Sequence, residues 1–194
     1  MQGACDARNA EIATPSSWAT SLAQARKSVI RSFRLDELAL QRLEEEAKRR
    51  NVSTNTLLSQ IVSGFVNFDI YFEKLGMMKI AHATIGHLLQ SASEEEVINA
   101  GRIAGKDVPR AIISAKQGSI TLYTAIDFLR MMGDYANLYK YSEIGEGGIR
   151  TLTLMHELGP KGSLFLIHYA GAVLEQVGVR PKYSSTDHSV TIEF

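Results

Sequence analysis

The sequence predicts an α+β protein in two unequal parts, and three observations predict it. Residues 28–69 read as one short β-prone run followed by two short amphipathic helices. Residues 70–194 open with helical periodicity and then change period, giving two strand pairs that flank one helix in a β-β-α-β-β order. Residues 1–27 are polar and rich in small residues without a sustained period, so a flexible N-terminal arm is expected there.

The first part is read as follows. Val29-Ile30-Arg31-Ser32-Phe33-Arg34-Leu35 is dense in branched and aromatic residues, the types that fit a pleated, half-buried strand. Asp36 stands where a helix N-cap belongs, and Leu40, Leu43 and Ala47 follow at helical spacing. Asn51-Val52-Ser53 breaks that helix, with Ser53 placed to cap a second one carrying Leu58, Ile61, Val62 and Phe65 on one stripe. Such a unit is not stable alone, because one strand with two open edges is no sheet and two small helices enclose no core. Pairing the strand antiparallel with its copy in a second chain satisfies both edges and joins four helices over one core. A homodimer or higher homo-oligomer is therefore expected. Alternation along the strand then turns Phe33 and Leu35 inward and Ser32 and Arg34 outward. A two-stranded ribbon fits the major groove of double-stranded DNA, where an arginine forks onto a guanine edge and a serine donates or accepts at several bases. The start of the second helix, at Ser53, Thr54 and Asn55, offers N–H groups and a positive dipole end to a phosphate.

Residues 28–69 resemble the ribbon-helix-helix family, which includes the Arc, Met and CopG-type repressors. The likeness is carried by Ser32-Phe33-Arg34-Leu35 running into Asp36, by the Leu43/Ala47 pair, and by the Val52-Ser53 turn ahead of Leu57-Leu58. The resemblance implies a dimeric, site-specific DNA-binding transcriptional regulator acting on a palindromic operator. By position it assigns base contacts to Ser32, Arg34 and Ile30, and contacts to the DNA backbone to Lys27, Arg31, Ser53, Thr54 and Asn55. One feature departs from the family's pattern. Strict alternation places Arg31 on the core side and Ile30 on the groove side, the reverse of the usual polarity. Either the strand frays or bulges at Arg31, or the Arg31 side chain snorkels to a phosphate. The blander reading of the same residues is an amphipathic helical hairpin packed within a larger fold. Strand, cap, turn and second cap agree in order and spacing, which favours the DNA-binding reading.

Composition bounds the rest. The chain has 194 residues, 45% of them hydrophobic, enough for one domain with a proper core or two small ones. The formal net charge is zero, but Arg26, Lys27, Arg31, Arg34, Arg42, Lys48, Arg49 and Arg50 gather around the motif. DNA binding would thus rest on a local basic surface and be salt-sensitive, with Glu44, Glu45 and Glu46 expected on the face away from DNA. Cys5 is the single cysteine, so no intrachain disulfide framework exists and a reducing, cytoplasmic location is expected. No apolar run approaches the roughly 20 residues of a membrane span, and no signal peptide is expected.

In the second part, residues 70–89 are helical in pattern, and no Pro-, Gly- or Ser-rich linker separates them from the motif's last helix. Ser93-Glu94-Glu95-Glu96 starts a helix expected to run through Val97, Ile98 and Ile103 towards Gly105, with another short one beginning at Val108-Pro109. Leu122, Ile126, Leu129 and Met132 give a further amphipathic helix. Strands are expected over 137–144 and 149–156, joined by Gly145-Glu146-Gly147-Gly148, and over 179–184 and 189–194, with a helix over 163–177 between the pairs. This part is expected to sense a small-molecule effector or build higher oligomers.

Residues that bear chemistry are few. Gly159-Pro160-Lys161-Gly162-Ser163 has the look of an anion cradle but lacks P-loop spacing, and Ser163 as a helix N-cap explains it better. His82 and His87 are separated by about 140° on a helix, poor geometry for a shared metal, and the other histidines stand alone. His156 beside Glu157 at a strand end is the most interesting of these, with a structural role the simpler account. Aromatics from Tyr123 and Phe128 through Tyr135, Tyr139 and Tyr141 to Phe165 and Tyr169 either line a small-molecule pocket or pack the core. No nucleophile elbow or dyad is present, so neither catalysis nor a cofactor or metal is expected. Two rival functions remain: an antitoxin-like interaction protein that uses the motif only to dimerise, and a small-molecule-binding or enzymatic domain tethered to DNA. The folded second half speaks against the first, whose tails are usually short and disordered. A cofactor absorbance would point to the second.

Overall fold

The computed structural model describes residues 29–194; the expected arm, Lys27 and Ser28 lie outside them. Asp36 opens helix α1 (Glu37–Arg49) from an extended backbone, its carboxylate accepting the Ala39 N–H at 2.8 Å. Asn51 ends the helix by taking a left-handed φ of 55°, and the Val52 N–H returns to the Ala47 carbonyl at 3.0 Å. That closure leaves few orphan carbonyls and reverses the chain. Ser53 then caps α2 (Thr54–Gly64), accepting the Thr56 N–H at 3.0 Å. Ala47 and Leu57 are buried where the two helices meet.

The helix does not stop at Gly64. It passes through one π-helical turn, Phe65–Asp69, in which the Ile70 N–H bonds to the Phe65 carbonyl, and continues as α3 (Ile70–Lys74). The near-continuous helix expected at this junction is present, but it does not reach Leu89. Gly76, at a φ of 66°, breaks it, and α4 (His82–Ser91) starts afresh.

A second correction concerns Pro109. Where two helices were expected there is one, α5 (Glu94–Gln117), with Pro109 inside it. A proline in a helix removes one donor and orphans the carbonyl four residues back, here that of Gly105. Gln176 supplies the replacement, its Nε2 donating to that carbonyl at 3.1 Å. Gln176 closes α7 (Pro160–Glu175), which lies tightly against α5. A Cβ at Gly101 would stand 2.6 Å from the Phe165 carbonyl oxygen, and one at Gly105 would overlap the carbonyl of Tyr169. Tertiary contact thus overrides a local helix breaker.

Helix α6 (Leu122–Asp134), capped reciprocally by Thr121 and Thr124, leads into the sheet. Its strands are β1 (Lys140–Glu146), β2 (Ile149–Met155), β3 (Lys182–Thr186) and β4 (Ser189–Glu193). They pair antiparallel in the order β1-β2-β4-β3, with α7 between β2 and β3. The first hairpin is tighter than the four-residue loop expected. Gly145 and Glu146 pair with Arg150 and Ile149, leaving Gly147 and Gly148 to turn at φ of 59° and 86°. Along β2 and β4, Leu152, Leu154, Val190 and Ile192 enter one core with Leu166, Ala170 and Leu174 of α7. Ile144 and Ile149 lie on the other face, which is open to water. The protein is therefore α+β with a four-stranded antiparallel sheet.

Candidate nucleic-acid interface

The expected DNA-contacting residues fall in two places. Ile30, Arg31, Ser32 and Arg34 lie on residues 29–36, which form no helix and pair with no strand among the described residues. Every side chain of this segment is exposed, Ile30 at 92% and Phe33 at 72%. Phe33 and Leu35, expected to face a core, are left 72% and 46% exposed in the single chain. Arg31 folds back on its own backbone, its Nη1 donating to the Ile30 carbonyl at 3.2 Å. The second place is the start of α2. The Ser53 hydroxyl is engaged there with Thr56, while the N–H groups of Thr54 and Asn55 meet no acceptor among the described residues. No hydrogen bond among the described residues links the two places.

Charge around the motif is less free than the sequence implies. The Glu46 carboxylate holds Arg49 at 2.6 Å and Arg50 at 2.5 Å, and these two guanidinium groups pull its pKa down to about 2. The acidic run thus consumes two of the basic side chains expected to serve DNA. Arg31, Arg34, Arg42 and Lys48 make no ion pair among the described residues and carry the remaining positive field.

The other chemistry-bearing groups have structural employment. Gly159, at a φ of 74°, turns the chain, and Pro160 takes the first helical position of α7, so Ser163 lies inside the helix rather than capping it. Its hydroxyl reaches the Thr186 carbonyl at 2.5 Å and stands 2.9 Å from His156 Nε2, while His156 Nδ1 accepts the Leu158 N–H at 3.2 Å. The single serine proton goes to the carbonyl, so Nε2 carries a hydrogen and donates. This order of donors is the reverse of what a serine nucleophile needs. Lys161 does not face an anion site. Its ammonium donates to the Gln90 carbonyl at 2.9 Å and to that of Ala92, closing the C-terminus of α4. Sequence reasoning missed this latch because the two partners are far apart in the chain. No cluster of three or more His, Cys, Asp or Glu suited to a metal occurs among the described residues, and no helix there is long and apolar enough to cross a membrane. The aromatics divide: Phe128 and Tyr139 are in the core, Tyr123 is exposed, and only Phe165 and Tyr169 share one apolar recess.

No family model, curated protein or solved structure matches this chain.

Proposed function

We propose that the protein is a sequence-specific DNA-binding transcriptional regulator that acts as a homodimer, with residues 29–35 of two chains paired as a ribbon in the major groove. One observation carries this reading. The segment 29–35 and the helices after it leave Val29, Phe33, Leu35, Leu38, Leu40, Ile61, Val62 and Phe65 exposed, although both helices are properly capped at their N-termini. A well-formed unit with so much apolar surface in water is half of a core. A second copy supplies the other half and the missing strand edge together. In the ribbon, Ser32 and Arg34, with Ile30 beside them, face the bases; Arg31, Lys27 and the α2 start at Ser53, Thr54 and Asn55 hold the backbone. The rest of the chain is then a cytoplasmic regulator's effector-binding or oligomerisation domain.

The test is binding of the purified protein to its own upstream DNA and to random duplex across a salt series. Tight binding that prefers the upstream site and weakens steeply with salt is expected. Arg34→Ala should lower affinity for the operator by roughly 1–3 kcal/mol and leave random duplex nearly unaffected. Equal losses on both DNAs would remove Arg34 from base reading. Weak binding that ignores sequence would reduce the motif to a dimerisation device.

A further inference from the structure

The four-stranded sheet ends on one side at β1, and among the described residues no strand pairs with that edge. The far side of the hairpin fixes which backbone groups the edge presents. The Arg150 N–H donates to the Phe194 carbonyl at 2.8 Å, and the Arg150 carbonyl accepts the Phe194 N–H at 3.0 Å. Arg150 thus turns both groups away from Gly145, its neighbour on β1. Gly145 therefore turns its own N–H and C=O to the open edge, and alternation turns those of Glu143 and Tyr141 the same way. None of these groups meets another backbone group among the described residues. The edge is also uncovered. A groove of about 630 Å³ lies beside it, with Ser142 and Gly145 on one wall and Tyr123, Asp127 and Asp134 of α6 on the other. Gly145 is an oddity in this strand. Its φ is not in the left-handed region, and a Cβ on it would meet nothing within 4 Å. Nothing within the chain calls for glycine there, yet glycine weakens a strand and often marks the close approach of another backbone.

We propose that β1 pairs antiparallel with β1 of a second copy, about a two-fold axis at Glu143, so that the two sheets join edge to edge. Centred there, the pairing engages all seven residues of β1 and keeps the solvent faces of both sheets on one side. The backbone groups of Tyr141, Glu143 and Gly145 then bond to those of Gly145, Glu143 and Tyr141 in the copy. Lys140 falls opposite the copy's Glu146, and Glu146 opposite its Lys140. Both side chains are exposed, and neither makes an ion pair among the described residues. The Tyr141 ring lies over the copy's Gly145, where no Cβ obstructs it. Glu143 meets its own copy at the axis, but its carboxylate is already held by Arg130 at 2.7 Å, Arg150 at 3.6 Å and the Tyr141 hydroxyl at 2.9 Å. Neutralised clusters, not bare charges, come together there. A single strand pair buries less than the roughly 1,200 Å² of a standard interface, so the contact is weak in dilute solution and closes when copies are concentrated or held side by side. It gives the oligomerisation part of the proposed function its surface and rests on that reading, not on DNA binding.

The test is sedimentation equilibrium of the full-length protein carrying Phe33→Asp, which silences the ribbon, from micromolar to near-millimolar concentration. A monomer–dimer equilibrium is expected. Lys140→Glu should weaken it roughly tenfold, since attraction becomes repulsion at two symmetric places. Adding Glu146→Lys to that variant exchanges the two charges and should restore the original association constant. Gly145→Pro removes only an edge-facing N–H, and should abolish association while the far-UV circular dichroism stays unchanged. Absence of association, association indifferent to Lys140→Glu, or a loss that the charge exchange does not reverse overturns the proposal. Operator binding is read separately, so its failure leaves this result intact.

Discussion

His156 is held by hydrogen bonds that only its neutral form makes. Nδ1 must be bare to accept the Leu158 N–H, and Nε2 already carries the proton it presents to Ser163. Burial, and then the nearby His188, hold its pKa below the ordinary 6.5. The unfolded chain therefore binds a proton at higher pH than the folded one. The associated stability is fully present above 6.5 and declines as pH falls below it. His168, lowered chiefly by burial, adds in the same direction. The urea midpoint is expected to be lower at about pH 5.5 than at about pH 7.5, with a shallower fall in His156→Gln. Equal falls in variant and parent would give the dependence to other groups. Tyr169 reverses the usual expectation for a core substitution. Its hydroxyl is buried and has no partner among the described residues, so Tyr169→Phe should raise stability by about 1 kcal/mol. A calorimetric Tm higher by about 2–4 °C is the readout for a chain of this length.

Helix starts were legible in the sequence because the interactions that make them are local. Asp36, Ser53 and Ser93 each bond to an N–H three residues on, and the spacing alone declares it. The β-β-α-β-β order was legible for the same reason, through alternation and Gly-rich turns. Pro109 was not, because the group that excuses it, Gln176, comes from another helix. Ser163 misled in the opposite way, since Gly159 and Pro160 start α7 before it. Two predictions belong to this scale. Gly105→Ala drives a Cβ into the Tyr169 carbonyl, a backbone atom that cannot step aside, so a loss of about 3 kcal/mol is expected in urea unfolding. Ser53→Ala should cost about 1 kcal/mol through the lost cap, and should weaken binding to operator and random DNA alike.

At the scale of the molecule, the single chain buries its apolar side chains unevenly. Residues 70–194 enclose a core around Phe128, Leu129, Leu152 and Leu166, whereas residues 29–66 bury little besides Ala47 and Leu57. Sequence periodicity showed which side chains of the motif are apolar, and the small size of the unit that one copy cannot enclose them; how much of each is left exposed in one chain was not legible. Phe33, expected in the shared core of a dimer, is 72% exposed in the single chain. Phe33→Asp should therefore be harmless to a monomer and damaging to a dimer. Sedimentation velocity is expected to show a dimer for the parent and a monomer for the variant, with operator binding lost in parallel. A parent that sediments as a monomer throughout would undo the ribbon.

The π-helical turn at Phe65–Asp69 has a further consequence. Ahead of it Ile61 and Val62 face outward, as does Phe65 at its first position; within it Phe68 is fully buried, packed against Phe72 and Tyr135. One residue beyond a regular helical register separates these two bearings, and each residue turns a helix by about 100°. The azimuth of one half about the other is thus indexed by a single amino acid, like a gear set by one tooth. Removing that tooth would re-aim residues 29–64 by about 100° relative to the body behind them.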